Sequence, residues 1–175
     1  RRFEELGCTV EEVDNVFEKD PADLWTAEFY AGVGTRLRSI IETKSDILDP
    51  GVSAILKLSL EQEMRDYYQK VFDRYALRDR INTFFSRYDI LLSPVIPITS
   101  LNTGVDIPSH LDDRNLVSWV FYTYPFNLTG NPAASICAGI AKDGMPVGLQ
   151  IVGGPQQEFD VVRAAAAFER TQEPG

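Results

Sequence analysis

The segment from Ala133 to Val152 constrains the fold more than any other part of the chain. Ala133 to Ile140 is a run of small apolar residues, Asp143-Gly144 follows, and Val147-Gly148-Leu149-Gln150-Ile151-Val152 is apolar again. Two such runs joined by Asp-Gly read as a β-hairpin, because that pair tolerates the positive φ angles of a tight turn. Gly153-Gly154-Pro155 breaks the second run. A third candidate strand lies upstream in Tyr88-Asp89-Ile90-Leu91-Leu92-Ser93-Pro94. Ile90 to Leu92 shows no alternation, the pattern of a strand buried on both faces. Pro94 and Pro97 end it.

The rest of the chain is patterned for helices. Arg1-Arg2-Phe3-Glu4-Glu5-Leu6-Gly7 reads as the last turns of a helix, with Phe3 and Leu6 on one face and Gly7 as its cap. A helix met in mid-pattern implies sequence upstream. Cys8 to Val13 is a short strand candidate. Asp20 and Pro21 mark a helix start with Asp23 in its positive first turn. Trp25, Phe29, Val33, Leu37 and Ile41 then repeat every four residues and define one buried face. Asp49-Pro50 repeats the start signal for an amphipathic run reaching about Tyr88, with a bend or rotation expected where the stripe shifts between Tyr75 and Leu77. The aromatics of its stripe, Tyr67, Tyr75, Phe84 and Tyr88, read as core. Residues 99–115 form a polar loop that holds His110, and Leu116 to Tyr124 reads as a short helix. Pro125 to Pro132 is turn-forming, and Glu158 to Arg170 is a closing helix packed through Val162, Ala165, Ala166 and Phe168. The class is therefore α/β.

The search for chemistry returns exclusions. The formal net charge is −9 and no Lys/Arg cluster is present, so direct nucleic-acid binding is not expected. Two distant cysteines, Cys8 and Cys137, make no disulfide framework and point to a reducing, cytoplasmic setting. With His110 the single histidine, no metal-ligand spacing exists. No apolar run is long enough to span a membrane. There is no Gly-x-Ser-x-Gly elbow, no Ser-x-x-Lys pair and no Walker lysine after Gly153-Gly154. Cys137, among small apolar residues, reads as an inert core cysteine. A Cys137–His110 dyad would need the fold to bring the two together. Asp112-Asp113 reads as a solvated pair. No catalytic residue and no cofactor is assigned.

Spaced motifs carry a family resemblance. Pro125-Phe126-Asn127-Leu128-Thr129-Gly130-Asn131-Pro132-Ala133, followed by Gly144-Met145-Pro146-Val147-Gly148-Leu149-Gln150-Ile151-Val152-Gly153, resembles the C-terminal signature of the amidase-signature family. Tyr88 to Pro94 resembles its buried D-x-L-L-T/S-P strand, and Phe159 to Glu169 its closing helix. The resemblance implies that residues 1–175 are the C-terminal portion of a single amidase-signature domain, a mixed sheet covered by helices. It implies an amidohydrolase that cleaves carboxylic amides through an acyl-serine intermediate. In the family a serine, a second serine in a cis peptide and a lysine do this work, in an upstream region that nothing here matches. The chain alone is accordingly expected to be inactive. The same resemblance makes Val120, Thr123, Phe126 and Asn127 the substrate-pocket candidates, with Asn127 expected to bond local backbone.

Two departures bear on the substrate. Many relatives carry Pro where this chain has Cys137. In the glutamine-using subunits that amidate misacylated tRNA, an Asp three positions before the Thr of a T-x-P-x-N segment helps bind glutamine. The matching Thr is Thr123, so that position is Val120, which suits a less polar amide. The expected partners are a small-molecule amide, the missing N-terminal part and, with an open sheet edge, a second copy. The alternatives are the A subunit of a tRNA-dependent amidotransferase and a non-catalytic binding or assembly relative.

Overall fold

In the computed structural model, residues 1–116 and 118–172 are described. Their three strands are β1 (Ile90–Pro94), β2 (Ala133–Ile140) and β3 (Pro146–Gly153), in the order β1-β3-β2 and antiparallel throughout. The β2–β3 hairpin turns at Asp143-Gly144, where Gly144 has φ 83°, as its sequence requires. The central strand, β3, pairs Ile151 with Leu92 on one side and Ala134 on the other. Leu149, Ile151 and their neighbours Ile90, Leu92, Ala134 and Ile136 face the closing helix α7 (Glu158–Glu169), packing with Phe3, Val161 and Phe168. The opposite face offers Leu91 and Val152 to Ile81, Phe85 and Phe126. Ile90 to Leu92 thus meets core on both faces, which explains its unbroken apolar run. A Cβ on Gly153 would come within 2.8 Å of Val161 Cγ2, so β3 and α7 approach more closely there than any side chain permits.

The helices are α1 (Arg2–Glu5), α2 (Ala22–Phe29), α3 (Thr35–Thr43), α4 (Pro50–Leu58), α5 (Met64–Phe84) and α6 (Tyr124–Thr129). A wide π-helical turn, Tyr30–Gly34, joins α2 to α3 without a break. It accounts for the four-residue stripe. Residues four apart drift by about 40° per step on an ideal α-helix, and one over-wide turn reverses part of that drift. The start signal at Asp49 acts as read, whereas in α2 the N-cap is Pro21 and Asp20 stands one residue before it. Asp20 Oδ1 accepts from Ala22 N–H at 3.1 Å and Asp49 Oδ1 from Val52 N–H at 3.1 Å.

Several expectations are corrected. Cys8 to Val13 is not a strand, and among the described residues no main-chain hydrogen bond reaches residues 9–14. The run from Pro50 to Tyr88 is two helices, interrupted by a tight turn at Ser59–Glu61 and an extended Glu63 (φ −77°, ψ 139°). Glu61, Glu63 and Asp66 crowd the start of α5, where the helix dipole favours acids. α5 runs unbroken through Tyr75, and its first half packs through charge. Lys70 pairs with Asp23, Arg74 pairs with Glu28 at 3.0 Å, and Arg74 Nε donates to Leu128 O at 2.7 Å. Met64, Tyr68, Phe72 and Tyr75 consequently stay exposed. The helix expected over Leu116 to Tyr124 begins at Tyr124 instead, with Pro125 in its first turn and Gly130 (φ 76°) closing it; Val117 lies outside the described residues. On α7 the inward residue is Val161, and Val162 is exposed. Finally, Cys137 is exposed, because β2 is an edge strand whose second face has no cover among the described residues.

Candidate functional site

A cleft of about 1460 Å³ opens beside β1. One side is the chain from Gly7 to Pro21, another is Ile90 to Ser93, the end of α5 and the face of α7 contribute Phe84 and Ala164, and Arg114, Phe121, Tyr122 and Phe126 also line it. Arg114, Phe121 and Tyr122 belong to the arm that joins the polar loop to α6, and Phe126 to α6 itself. That arm is held by side chains far away in sequence. Tyr124 is only 1% exposed, and its phenol donates to Asp20 Oδ1. The Arg114 guanidinium pairs with Asp20 Oδ2 and reaches Ser118 O at 3.1 Å and Tyr124 Oη at 3.4 Å. It also lies 5.0 Å from the centre of the Phe121 ring, within cation–π range. Burial, aided by the bond to Asp20, pushes the Tyr124 phenol well above the ordinary tyrosine range. The Trp25 ring stacks over Tyr124 with centroids 6.0 Å apart and planes 11° apart.

A second tie comes from the sheet. Gln150 is buried at 4% exposure, and its Nε2 donates to Ser93 Oγ at 2.9 Å and Tyr122 O at 2.8 Å. A carbonyl partner fixes which end of the amide is the donor. The arm is therefore pinned near both ends by Asp20 and in its last third by Gln150. Asp20 and Arg114 also line a second cavity of about 780 Å³ beside α2 and α5, so their ion pair stands between the two spaces.

The four residues picked from the sequence fall in different settings. Val120 and Thr123 are half-buried and locked together, since Thr123 donates to Val120 O through both its N–H and its hydroxyl, each at 3.0 Å. Phe126 is a core residue that reaches the cleft, edge-on to Phe17 at 5.4 Å. Asn127 is exposed. The bonds expected of it belong to Asn131, whose Nδ2 donates to Gly153 O at 2.8 Å while its Oδ1 accepts from Thr129 at 2.6 Å. Asp20, Arg114, Tyr124 and Gln150 were not read as site residues. Asp20 carried a helix-start signal, Arg114 sat in a polar loop, and Asp20 and Tyr124 lie 104 positions apart.

Catalytic pairings are sparse. Cys137 Sγ contacts Gly139 O at 3.4 Å, and His110 sits on an exposed turn, Ser109–Leu111, with no contact to it among the described residues. The described residues also hold no group of three or more metal-ligating side chains, and none of their helices is long and apolar enough to cross a membrane. What the arrangement supplies is a shaped, polar-anchored wall.

The chain is similar to solved amidase-signature structures. It superposes on 38% of a bacterial aryl acylamidase of that family with a TM-score of 0.81 at 26% identity, over 97% of its own length. Another amidase structure gives a TM-score of 0.85 at 23% identity, over 98% of this chain and 39% of the other. The mixed α/β fold, with its small antiparallel sheet and covering helices, is thus that of the amidase-signature class. The amidase family model matches residues 5–162, and the chain belongs to that family. It is 29% identical over 172 residues to an acylamidase of Rhodococcus erythropolis, covering 95% of this chain and 36% of that protein. It is 39% identical over 110 residues to the A subunit of the glutamyl-tRNA(Gln) amidotransferase of Brevibacillus brevis, covering 60% of this chain and 21% of that one. The chain therefore spans little more than a third of the acylamidase it matches.

Proposed function

We propose that the chain is the C-terminal portion of an amidohydrolase, in which it walls the substrate pocket while an upstream portion carries the serine–cis-serine–lysine set. The observation that carries this reading is the likeness to the Rhodococcus erythropolis acylamidase, which extends over 172 residues and hence through the pinned arm. Val120, Thr123, Phe126 and Asn127 are the pocket residues of this proposal, and the substrate is a carboxylic amide of low polarity. An apolar Val120 supports that choice, since a pocket built to hold a charged ligand needs a polar partner at the contact. The reaction proceeds through an acyl-serine intermediate and uses no cofactor. Loss of a nucleophile lowers turnover by about a million-fold in serine hydrolases, so these 175 residues alone are inactive. Two free cysteines, Cys8 and Cys137, fit a reducing cytoplasm.

A second reading, an amidotransferase A subunit, is favoured by the higher identity, 39%, to the Brevibacillus brevis protein, although over 60% of this chain. Hydrolysis of a panel of aliphatic and aryl amides, alongside ammonia release from glutamine, separates the two. Aryl or alkyl amide turnover by the intact protein supports the amidohydrolase. Glutaminase activity alone replaces it with the amidotransferase. Turnover by the 175-residue chain itself would refute the division of labour and make Cys137 the first residue to mutate.

A further inference from the structure

We infer that Asp20 is a positioning residue, one carboxylate clamping both ends of the 114–124 arm and so setting where Phe121 and Tyr122 stand against the cleft. The proposal rests on the reading that this arm walls the amide pocket. Its warrant is geometric. Asp20 Oδ2 takes Arg114 at one end of the arm, and Asp20 Oδ1 takes the Tyr124 hydroxyl at the other. The intervening residues close into turns of their own. Ser118 N–H donates to Asn115 Oδ1 at 3.0 Å, Ser118 Oγ accepts from Asn115 N–H at 2.9 Å, and Thr123 closes on Val120. Those turns set local shape but do not tie the arm to the body of the protein. Asp20 and Gln150 do that, and Asp20 acts at two points.

Charge matters here as well as shape. Arg114 donates in three directions, to Asp20, Ser118 O and Tyr124 Oη. A guanidinium with only neutral acceptors would be a partly buried charge without its counter-ion. The Asp20 carboxylate supplies that counter-ion and keeps the arm docked on α2.

A rival role for Asp20 is simply to hold the first turn of α2, through its bond to Ala22 N–H at 3.1 Å. The two roles separate cleanly, because Asn accepts such a bond as well as Asp does. Asp20→Asn keeps the acceptor for Ala22 and removes the negative charge that holds Arg114. Arg114→Lys keeps a cation and removes the fork that reaches three acceptors.

The test is hydrogen exchange on the intact protein, with amide-hydrolysis kinetics beside it. Asp20→Asn is expected to speed exchange about tenfold within 118–124 while the amides of α2, α5 and β3 keep their protection. Arg114→Lys and Tyr124→Phe are each expected to loosen their own end of the arm. On an amide substrate, Asp20→Asn should raise KM about tenfold and change kcat by less than about threefold. Unchanged exchange in 118–124 would leave Asp20 with that first turn alone and overturn the proposal, as would a rise spread evenly over the protein. Faster exchange with an unchanged KM would overturn it too, because the arm would then be clamped without shaping the pocket. Absence of amide turnover by the unsubstituted protein counts against the amidohydrolase reading alone, and exchange still decides the clamp.

Discussion

Tyr124 shows how one buried phenol turns packing into a pH response. Its hydroxyl is out of water and donates to a carboxylate, and both conditions favour the neutral form. An unfolded tyrosine ionises near pH 10. The folded pKa is raised, so the stability Tyr124 contributes is fully present below about pH 10 and is lost as pH climbs towards the folded value. Across that window the folded state holds a proton the unfolded state has released, giving a slope of about −1.4 kcal/mol per pH unit. Urea midpoints measured from pH 9 to 11 should therefore fall above pH 10, and Tyr124→Phe should flatten the fall. An equally steep decline in Tyr124→Phe would place the alkaline sensitivity elsewhere. Gln150 is the neutral counterpart, a buried amide whose two donors meet two acceptors. Neither residue was legible as part of a site. The amide lies in an apolar strand run, and the phenol beside Pro125, where local spacing says nothing of a partner across the fold. Cys137 misled for a related reason. Small apolar neighbours describe a strand, but whether that strand lies at an edge depends on pairing order.

At the scale of elements, local chemistry was readable where the determinant was local. Asp49 caps α4, Gly130 takes the left-handed turn after α6, and Asp143-Gly144 turns the hairpin, each through bonds to near neighbours. The failures come where a partner decides. Cys8 to Val13 has strand composition yet lies across the cleft from β1, unpaired, and a strand exists only with a ladder. α5 is the sharpest case. Its aromatic stripe looks like core, but Lys70, Arg74, Leu77 and Ile81 make the inner face; Tyr75 of the stripe is 54% exposed and its neighbour Phe72 61%, while Ile81 is fully buried. Ile81→Ala should cost about 2–5 kcal/mol by opening a cavity between Phe85, Phe126 and Val152. Phe72→Gln should change stability by no more than about 0.5 kcal/mol. Denaturant unfolding of the two variants checks this, and a large loss from Phe72→Gln would mean that α5 has been assigned the wrong inner face.

Across the whole molecule, the sheet has an open edge at β1 and another at β2 among the described residues, and the β1 edge faces the cleft. β3 is satisfied by strands on both flanks, whereas β1 has a ladder on one flank only among the described residues. Val95 N–H bonds to Gly148 O at 3.2 Å, so alternation turns the N–H and C=O of Ile90 and Leu92 away from β3. Pro94 falls at the next outward position, where its missing N–H costs the ladder nothing. Facing this edge are residues 9–14, whose backbone groups also lack main-chain partners among the described residues. Two unpaired backbones lining one cleft can pair with added strands, and such edges drive association unless charge prevents it. The opposing term is the net charge of −9, whose repulsion reaches about 10 Å at 0.1 M salt and about 3 Å at 1 M. The 175-residue chain should therefore run as a dimer or larger species in size-exclusion chromatography with light scattering, and the larger species should persist or grow at 1 M salt. Screening removes like-charge repulsion and leaves backbone pairing and apolar burial intact. A monomer at every salt concentration would mean that the cleft satisfies its edges with water, and the proposed upstream portion would then be called for by catalysis alone.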